Sequence, residues 1–364
     1  MILKGDKKLP GVIFTALLTA AAMVIFSSQL YSQDSRNSAE SAAVTSNPAQ
    51  PEKIRIQLHW YPQAQFAGFL TAVKKGFFSE EGLDVKIRWG GAGILPLKEL
   101  KDGNVEFCTA WLSQAIASST DDNTPCVLLA QQMPKSSMML ITRKKSDINT
   151  PVQMTGKKIG IWGGDFSIAP TAFFEKYDIK PVIIMQSASV LPFIRGVVDV
   201  ASAMYYNEYH KLMEAGISKD ELNIFMLADY GLDFPEDGIY TTADFREKHP
   251  DICRKMITAI QKGWQYSFAH KDETIDAIIQ EATEYNFVTN ANHQKWMLDA
   301  MEKLIPMKTA NSQSWGYLSP STYANVCEIL QRQKLLKNTP PAYVEFYQPA
   351  ATEPAKTSDG GDAK

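Results

Sequence analysis

The chain has 364 residues, 45% of them hydrophobic, with 37 basic against 40 acidic side chains and a formal net charge of −3. That balance gives no support for nucleic-acid binding, which calls for a concentrated basic surface. The length exceeds what one hydrophobic core usually covers, so two lobes are the default expectation.

Lys4, Lys7 and Lys8 precede an apolar span over residues 9–26, and a polar stretch follows to residue 50. A basic region followed by an apolar one is the order of an export signal. No cysteine follows the span closely, which excludes a lipid-anchored start, and Leu30 and Tyr31 interrupt the small residues that usually precede a cleavage point. The span sits at the short limit for a membrane helix. Two fates therefore stay open for residues 1–32: a cleaved signal peptide, or a retained anchor with its lysines on the cytoplasmic side. Either one places the rest in the periplasm or outside the cell. Residues 33–52 and 346–364 hold too few large apolar side chains to fold and are expected to be a disordered linker and tail.

Ile54, Ile56 and Leu58 alternate with Arg55, Gln57 and His59, the period of a half-buried strand. Proline cannot donate to a ladder, so the chain leaves the sheet at Trp60-Tyr61-Pro62 and carries its aromatics out at the strand's C-terminal end. In an open α/β sheet that end is where ligands bind. Phe66, Phe69, Leu70 and Val73 repeat at helical spacing, Gly76 supplies a stop, and Leu83, Val85 and Ile87 open a second strand. The turn at Trp89-Gly90-Gly91-Ala92-Gly93 either holds an anion on its backbone N–H groups or is only a tight connection. Trp111 follows a strand end on the same rim as Trp60, either stacking a flat ligand or packing between helix and sheet.

Four cysteines, Cys108, Cys126, Cys253 and Cys327, contain no Cys-x-x-Cys pair; buried free thiols are favoured over one or two disulfides. The five histidines show neither His-x-x-x-His nor Cys-His spacing, so no metal site is expected. Strands are predicted over residues 126–132 and 138–142. After the strand ending at Trp162, Gly163 and Gly164 let a backbone approach a ligand closely, while Asp165 either accepts from a ligand amino group or caps a helix. Further strands over residues 182–186, 200–205 and 223–227 follow. The second of them ends in the aromatic cluster around Tyr205, where Glu208 opens a helix that favours a carboxylate with or without a ligand. Beyond Thr241 the periodicity is helical, with Ile252, Met256, Ile260, Trp264 and Phe268 four residues apart.

Three stretches carry a resemblance: Trp60-Tyr61-Pro62 with Gly68, Gly76-Phe77-Phe78 and Glu81-Gly82-Leu83-Asp84-Val85; Gly156-Lys157-Lys158-Ile159-Gly160; and Tyr230-Gly231 with Pro235, Asp237-Gly238-Ile239-Tyr240. Together they resemble the periplasmic solute-binding proteins of the thiamine-pyrimidine-precursor family, relatives of the nitrate, sulfonate and taurine binders. The resemblance implies an α/β, two-lobed type II periplasmic-binding-protein fold with a helical C-terminal part and interlobe crossings near residues 142–151 and 235–240. Residues 53–148 and 240–345 would form lobe one and residues 149–239 lobe two. It also implies a monomeric component of an ABC-type import system that delivers a pyrimidine-like small molecule to a membrane permease. In that reading Trp60, Phe66 and Trp111 supply apolar and stacking surface, Gly163 and Gly164 close backbone approach, and Asp165, Glu208 and Tyr205 partners for ring amino groups. No cofactor and no catalytic residue are expected. Pyrimidine-making enzymes of the same fold are disfavoured, because Phe66 stands where their histidine aligns and their cysteine-rich motif is missing. A membrane-tethered sensor and a binder of sulfonate, nitrate or taurine-like anions also fit such a chain, and Arg88 and Arg195 are the only basic candidates near a rim for an anion.

Overall fold

A computed structural model describes residues 50–350, apart from residues 92, 122–124 and 308–314 and the side chains of Asp121 and Asp165. The expected export signal, nearly all of the linker and the end of the tail lie outside the described residues. Two five-stranded sheets organise the rest. The first sheet takes β1 (Glu52–Gln57), β2 (Leu83–Arg88), β3 (Phe107–Ala110), β4 (Cys126–Met133) and, from far along the chain, β10 (Glu236–Thr242). Its order is β2-β1-β3-β10-β4, with β10 antiparallel to both neighbours. The second sheet is built from β5 (Met138–Arg143), β6 (Lys158–Ile161), β7 (Val182–Met185), β8 (Val200–Met204) and β9 (Leu222–Met226). Its order is β7-β6-β8-β5-β9, with β5 antiparallel to β8 and β9.

Each sheet therefore repeats one plan, three parallel strands followed by an antiparallel strand next to a crossing. The first crossing corrects an expectation: it runs over residues 134–137, not near residues 142–151, because β5 pairs inside the second sheet. The return crossing over residues 231–235 lies just before the expected place. Cys108 and Cys126 do not sit on neighbouring strands, since β10 separates β3 from β4; all four thiols are free and buried. Glu52, expected in the linker, already pairs with Leu83, and Tyr347, expected in the tail, bridges to Leu128 on the outer edge of β4.

The helical C-terminal part closes over the first sheet. Helix Pro250–Ala269 packs on helix Ala67–Lys74 so tightly that a Cβ on Gly263 would stand 2.0 Å from the Gly68 carbonyl oxygen. Trp264 is fully buried beside it and donates from Nε1 to Gln132 Oε1 at 2.6 Å. Gln132 in turn donates to the Asp237 carbonyl at 2.8 Å, which ties this helix pair to the start of β10.

The two crossings are clasped to each other by one carboxyl group. Glu236 accepts from the Ser137 N–H at 2.7 Å, the Ser136 hydroxyl at 2.9 Å and the Ser137 hydroxyl at 3.1 Å, with no solvent exposure. Burial, and next the charge of Asp237, push its pKa up to about 8, against the hydrogen bonds from Ser136 and Ser137. An unfolded chain releases that proton near the ordinary carboxylate value, so the native state holds an extra proton between the two limits. This contribution to stability is complete below the ordinary value and is lost as pH rises towards about 8. Thermal melts across that window are expected to decline for the native chain and to decline less for Glu236→Gln, which mimics the protonated form. Equal slopes for the two proteins would contradict the assignment.

Candidate functional site

In a doubly wound sheet the crevice forms where connections leave neighbouring strands in opposite directions. In the first sheet that point lies beyond β1 and β3, which deliver Trp60 and Trp111. In the second it lies beyond β6 and β8, which deliver Trp162 and Tyr206. These two points face each other across a cavity lined by His59, Trp60, Gln63, Gln65, Trp111, Trp162, Phe166, Met204, Tyr206, Asn207 and Glu208. Phe166 bridges the gap, meeting Trp111 edge-on at 4.8 Å and Trp60 edge-on at 6.0 Å.

The polar groups of the cavity are held from behind. His59 Nδ1 lies 2.8 Å from the Thr109 hydroxyl and its Nε2 3.2 Å from Asp237 Oδ1. Gln65 donates to both Asp237 oxygens, at 3.1 and 2.9 Å, and accepts from Gln63 Nε2 at 2.6 Å. Asp237 has φ 56°, a left-handed conformation that short polar side chains tolerate, and its carboxylate serves His59 and Gln65 from the start of β10. Across the cavity Glu208 is 2% exposed; it accepts from the Met204 N–H at 3.1 Å and from Asn207 Nδ2 at 3.0 Å. Burial raises its pKa from the ordinary carboxylate value. Trp162 is anchored by its Nε1 on the Ser187 carbonyl at 3.1 Å, whereas the buried Trp111 Nε1 has no partner among the described residues.

A second cavity continues from the first, sharing His59, Trp60, Trp162 and Phe166 and adding Gly91, Leu97, Gly163, Gly164 and Gln186 among others. Gly90 belongs to the tight-connection reading of its turn, since a Cβ there would lie 2.4 Å from the Leu58 carbonyl oxygen. Among the described residues lining the two cavities there is no lysine or arginine. Arg88 is instead engaged with Glu99 at 3.1 Å.

Of the residues singled out from the sequence, Trp60, Trp111 and Glu208 meet at the first cavity, and Gly163 and Gly164 at the second. Phe66 stands apart: its fully buried ring packs on His59, Phe69 and Trp89. Tyr205 also points away, stacking with Tyr209 at 5.8 Å and leaning on Trp296, while its neighbour Tyr206 takes the cavity face. The side chain of Asp165 lies outside the described residues. Sequence reasoning passed over Gln63, Gln65, Trp162, Phe166 and Tyr206 as lining residues; the placement of Trp162 directly after a strand, and of Tyr206 in the aromatic cluster after another, were the available signals.

Paired sheets with facing switch points and two crossings define the fold of the periplasmic binding proteins. The periplasmic aliphatic sulphonate binding protein SsuA from Escherichia coli superposes with TM-score 0.59 at 12% identity over 86% of this chain and 97% of that one. The ligand-binding component of an ABC-type import system from Staphylococcus aureus superposes with TM-score 0.58 at 14% identity over 82% and 97%. The model of the NMT1/THI5 like family matches residues 63–274, more than half of the chain, and the chain belongs to that family. The formylaminopyrimidine-binding protein of Halalkalibacterium halodurans is 23% identical over 65% of this chain and 72% of its own length. At the same 23% identity, the riboflavin-binding protein RibY of Chloroflexus aurantiacus matches 66% of this chain and 70% of its own length.

Proposed function

We propose that the chain is the extracytoplasmic binding component of an ABC-type import system, and that it captures a small amino-bearing ring of the thiamine-precursor pyrimidine class. The observation that carries this reading is the cavity's lining, in which three tryptophans and Phe166 surround a buried carboxylate with no lysine or arginine among the described lining residues. Aromatic faces receive a flat ring, and a carboxylate accepts from its amino group. The Trp111 N–H, without a partner among the described residues, suits a ring nitrogen or carbonyl, since a buried donor left unpaired is costly. The same lining disfavours a sulfonate or nitrate, which would meet Glu208 without a countercharge.

The ligand would bind one half first and draw the other over it by a hinge at the two crossings, and a membrane permease would take it from the closed form. No covalent step is asked of these residues. Among the described residues no helix is long and apolar enough to cross a membrane, and export rests on residues 1–32. A larger ring system such as a flavin is the second reading; the second cavity, continuous with the first, favours it.

A thermal-shift panel on the full chain tests the assignment, because a ligand bound only by the native state raises stability by mass action. Aminopyrimidines are expected to raise Tm, with taurine, alkanesulfonates and nitrate giving no shift. Stabilisation by riboflavin alone would move the reading to the larger ring, and stabilisation by anions alone would overturn it.

A further inference from the structure

Behind the cavity, on the side away from the ring site, three side chains from two helices converge. His210 and Glu214 lie one turn apart on helix Glu208–Glu214, which follows β8 of the second sheet. His293 comes from helix Ala291–Leu304, whose Gln294 accepts from the Ala64 N–H at 2.7 Å and so anchors it to the first sheet's side. The His210 and His293 Nδ1 atoms are 2.9 Å apart, and Glu214 Oε2 lies 4.0 and 3.8 Å from them. His210 and His293 are 8% and 3% exposed.

The hydrogen bonds around this cluster fix which nitrogen is free. Glu208 as a carboxylate only accepts, so the Asn207 amide must turn its Nδ2 toward Glu208 Oε1, at 3.0 Å, and its Oδ1 toward His293 Nε2, also at 3.0 Å. His293 therefore carries its proton on Nε2, and its Nδ1 lone pair accepts from His210 Nδ1–H, whose proton would move to Nε2 when both Nδ1 atoms turn to an ion. An imidazole whose outer N–H is held by an amide oxygen while the other nitrogen faces a second imidazole and a carboxylate has the arrangement of a metal ligand with its supporting partner. Trp296 stacks on His210 at 4.8 Å and 15° and walls the cluster.

The geometry assigns a divalent transition-metal site, of the zinc class, to His210, Glu214 and His293. Two imidazole nitrogens and one carboxylate oxygen form a donor set that zinc accepts, with a fourth position left for water, whereas magnesium and calcium prefer oxygen alone. Tetrahedral bonds of about 2.0–2.1 Å place donor atoms about 3.3 Å apart, so the three need sub-ångström adjustments to close on an ion. The ion would link a helix of the second half to a helix seated on the first, two hydrogen bonds behind Glu208 by way of Asn207.

The inference is independent of the ring ligand, and its test uses metal alone. The untagged full chain, stripped with chelator and dialysed, is titrated with Zn²⁺ by calorimetry, and with Co²⁺ followed by visible absorption. One equivalent is expected to bind, with tetrahedral Co²⁺ bands and a rise in Tm. Glu214→Gln, on the solvent edge of the cluster, and His210→Asn are each expected to lower Zn²⁺ affinity by about 10-fold or more. Absence of saturable Zn²⁺ binding by the folded native chain, or one equivalent bound with the same affinity in both variants, would overturn the site and leave a buried histidine pair.

Discussion

Exchanging Glu208 for glutamine is expected to weaken capture of an amino-bearing ring by roughly 10- to 100-fold. The side chain is 2% exposed, and Met204 and Asn207 already occupy one acceptor position on each oxygen. A hydrogen bond from a ligand amino group to the remaining carboxylate positions is charge-assisted and worth about 1.5–3 kcal/mol, where about 1.4 kcal/mol is tenfold in affinity. Glutamine keeps the shape but must turn an NH2 toward one of three donors: Met204, Asn207 or the ligand. Calorimetric titration with an aminopyrimidine reads the loss. Unchanged affinity in the variant would place the ring elsewhere.

The second large effect concerns stability. Adding a single methyl at Gly263 places a carbon 2.0 Å from the Gly68 carbonyl oxygen and 3.1 Å from Ala72 Cβ. The obstacle is backbone, not the end of a flexible side chain, so the two helices must separate. Overpacking of this kind costs about 1–3 kcal/mol and sometimes more, and rigid neighbours put Gly263→Ala at the upper end. At roughly 2–4 °C per kcal/mol for a domain of this size class, Tm should fall by about 6–12 °C. Separation of the helices also disturbs Trp264, Gln132 and, through them, the Asp237 backbone, so ring affinity is expected to fall with it. A melt within a degree of the native chain would show that the helices yield more easily than this packing implies.

Much of the scaffold was legible because it rests on local periodicity. The alternation of Ile54, Ile56 and Leu58 marked β1, and the spacing from Ile252 to Phe268 marked the long helix. What could not be read was long-range partnership. The residues of β5 look like a strand in either sheet, and only its pairing with β8 and β9 assigns it, which moved the first crossing to residues 134–137.

At the site, aromatics beyond strand ends were visible, but which of two neighbouring tyrosines faces the cavity was not. β8 ends at Met204, and the turn that follows decides that Tyr206 looks inward and Tyr205 outward. Phe66 shares its helical stripe with Phe69 and Leu70, and core packing took it. The metal candidate shows the same limit. His210 and Glu214 sit one turn apart in the sequence, but His293 joins them only through the packing of two helices.

The central claim, a flat ring held between aromatic walls from both halves, is tested most directly by intrinsic tryptophan emission, because Trp60, Trp111 and Trp162 all line the cavity. Titrating the native chain with 4-amino-2-methylpyrimidine should change that emission saturably, with one site per chain. An emission indifferent to every ring compound yet saturably altered by taurine or nitrate would contradict the account.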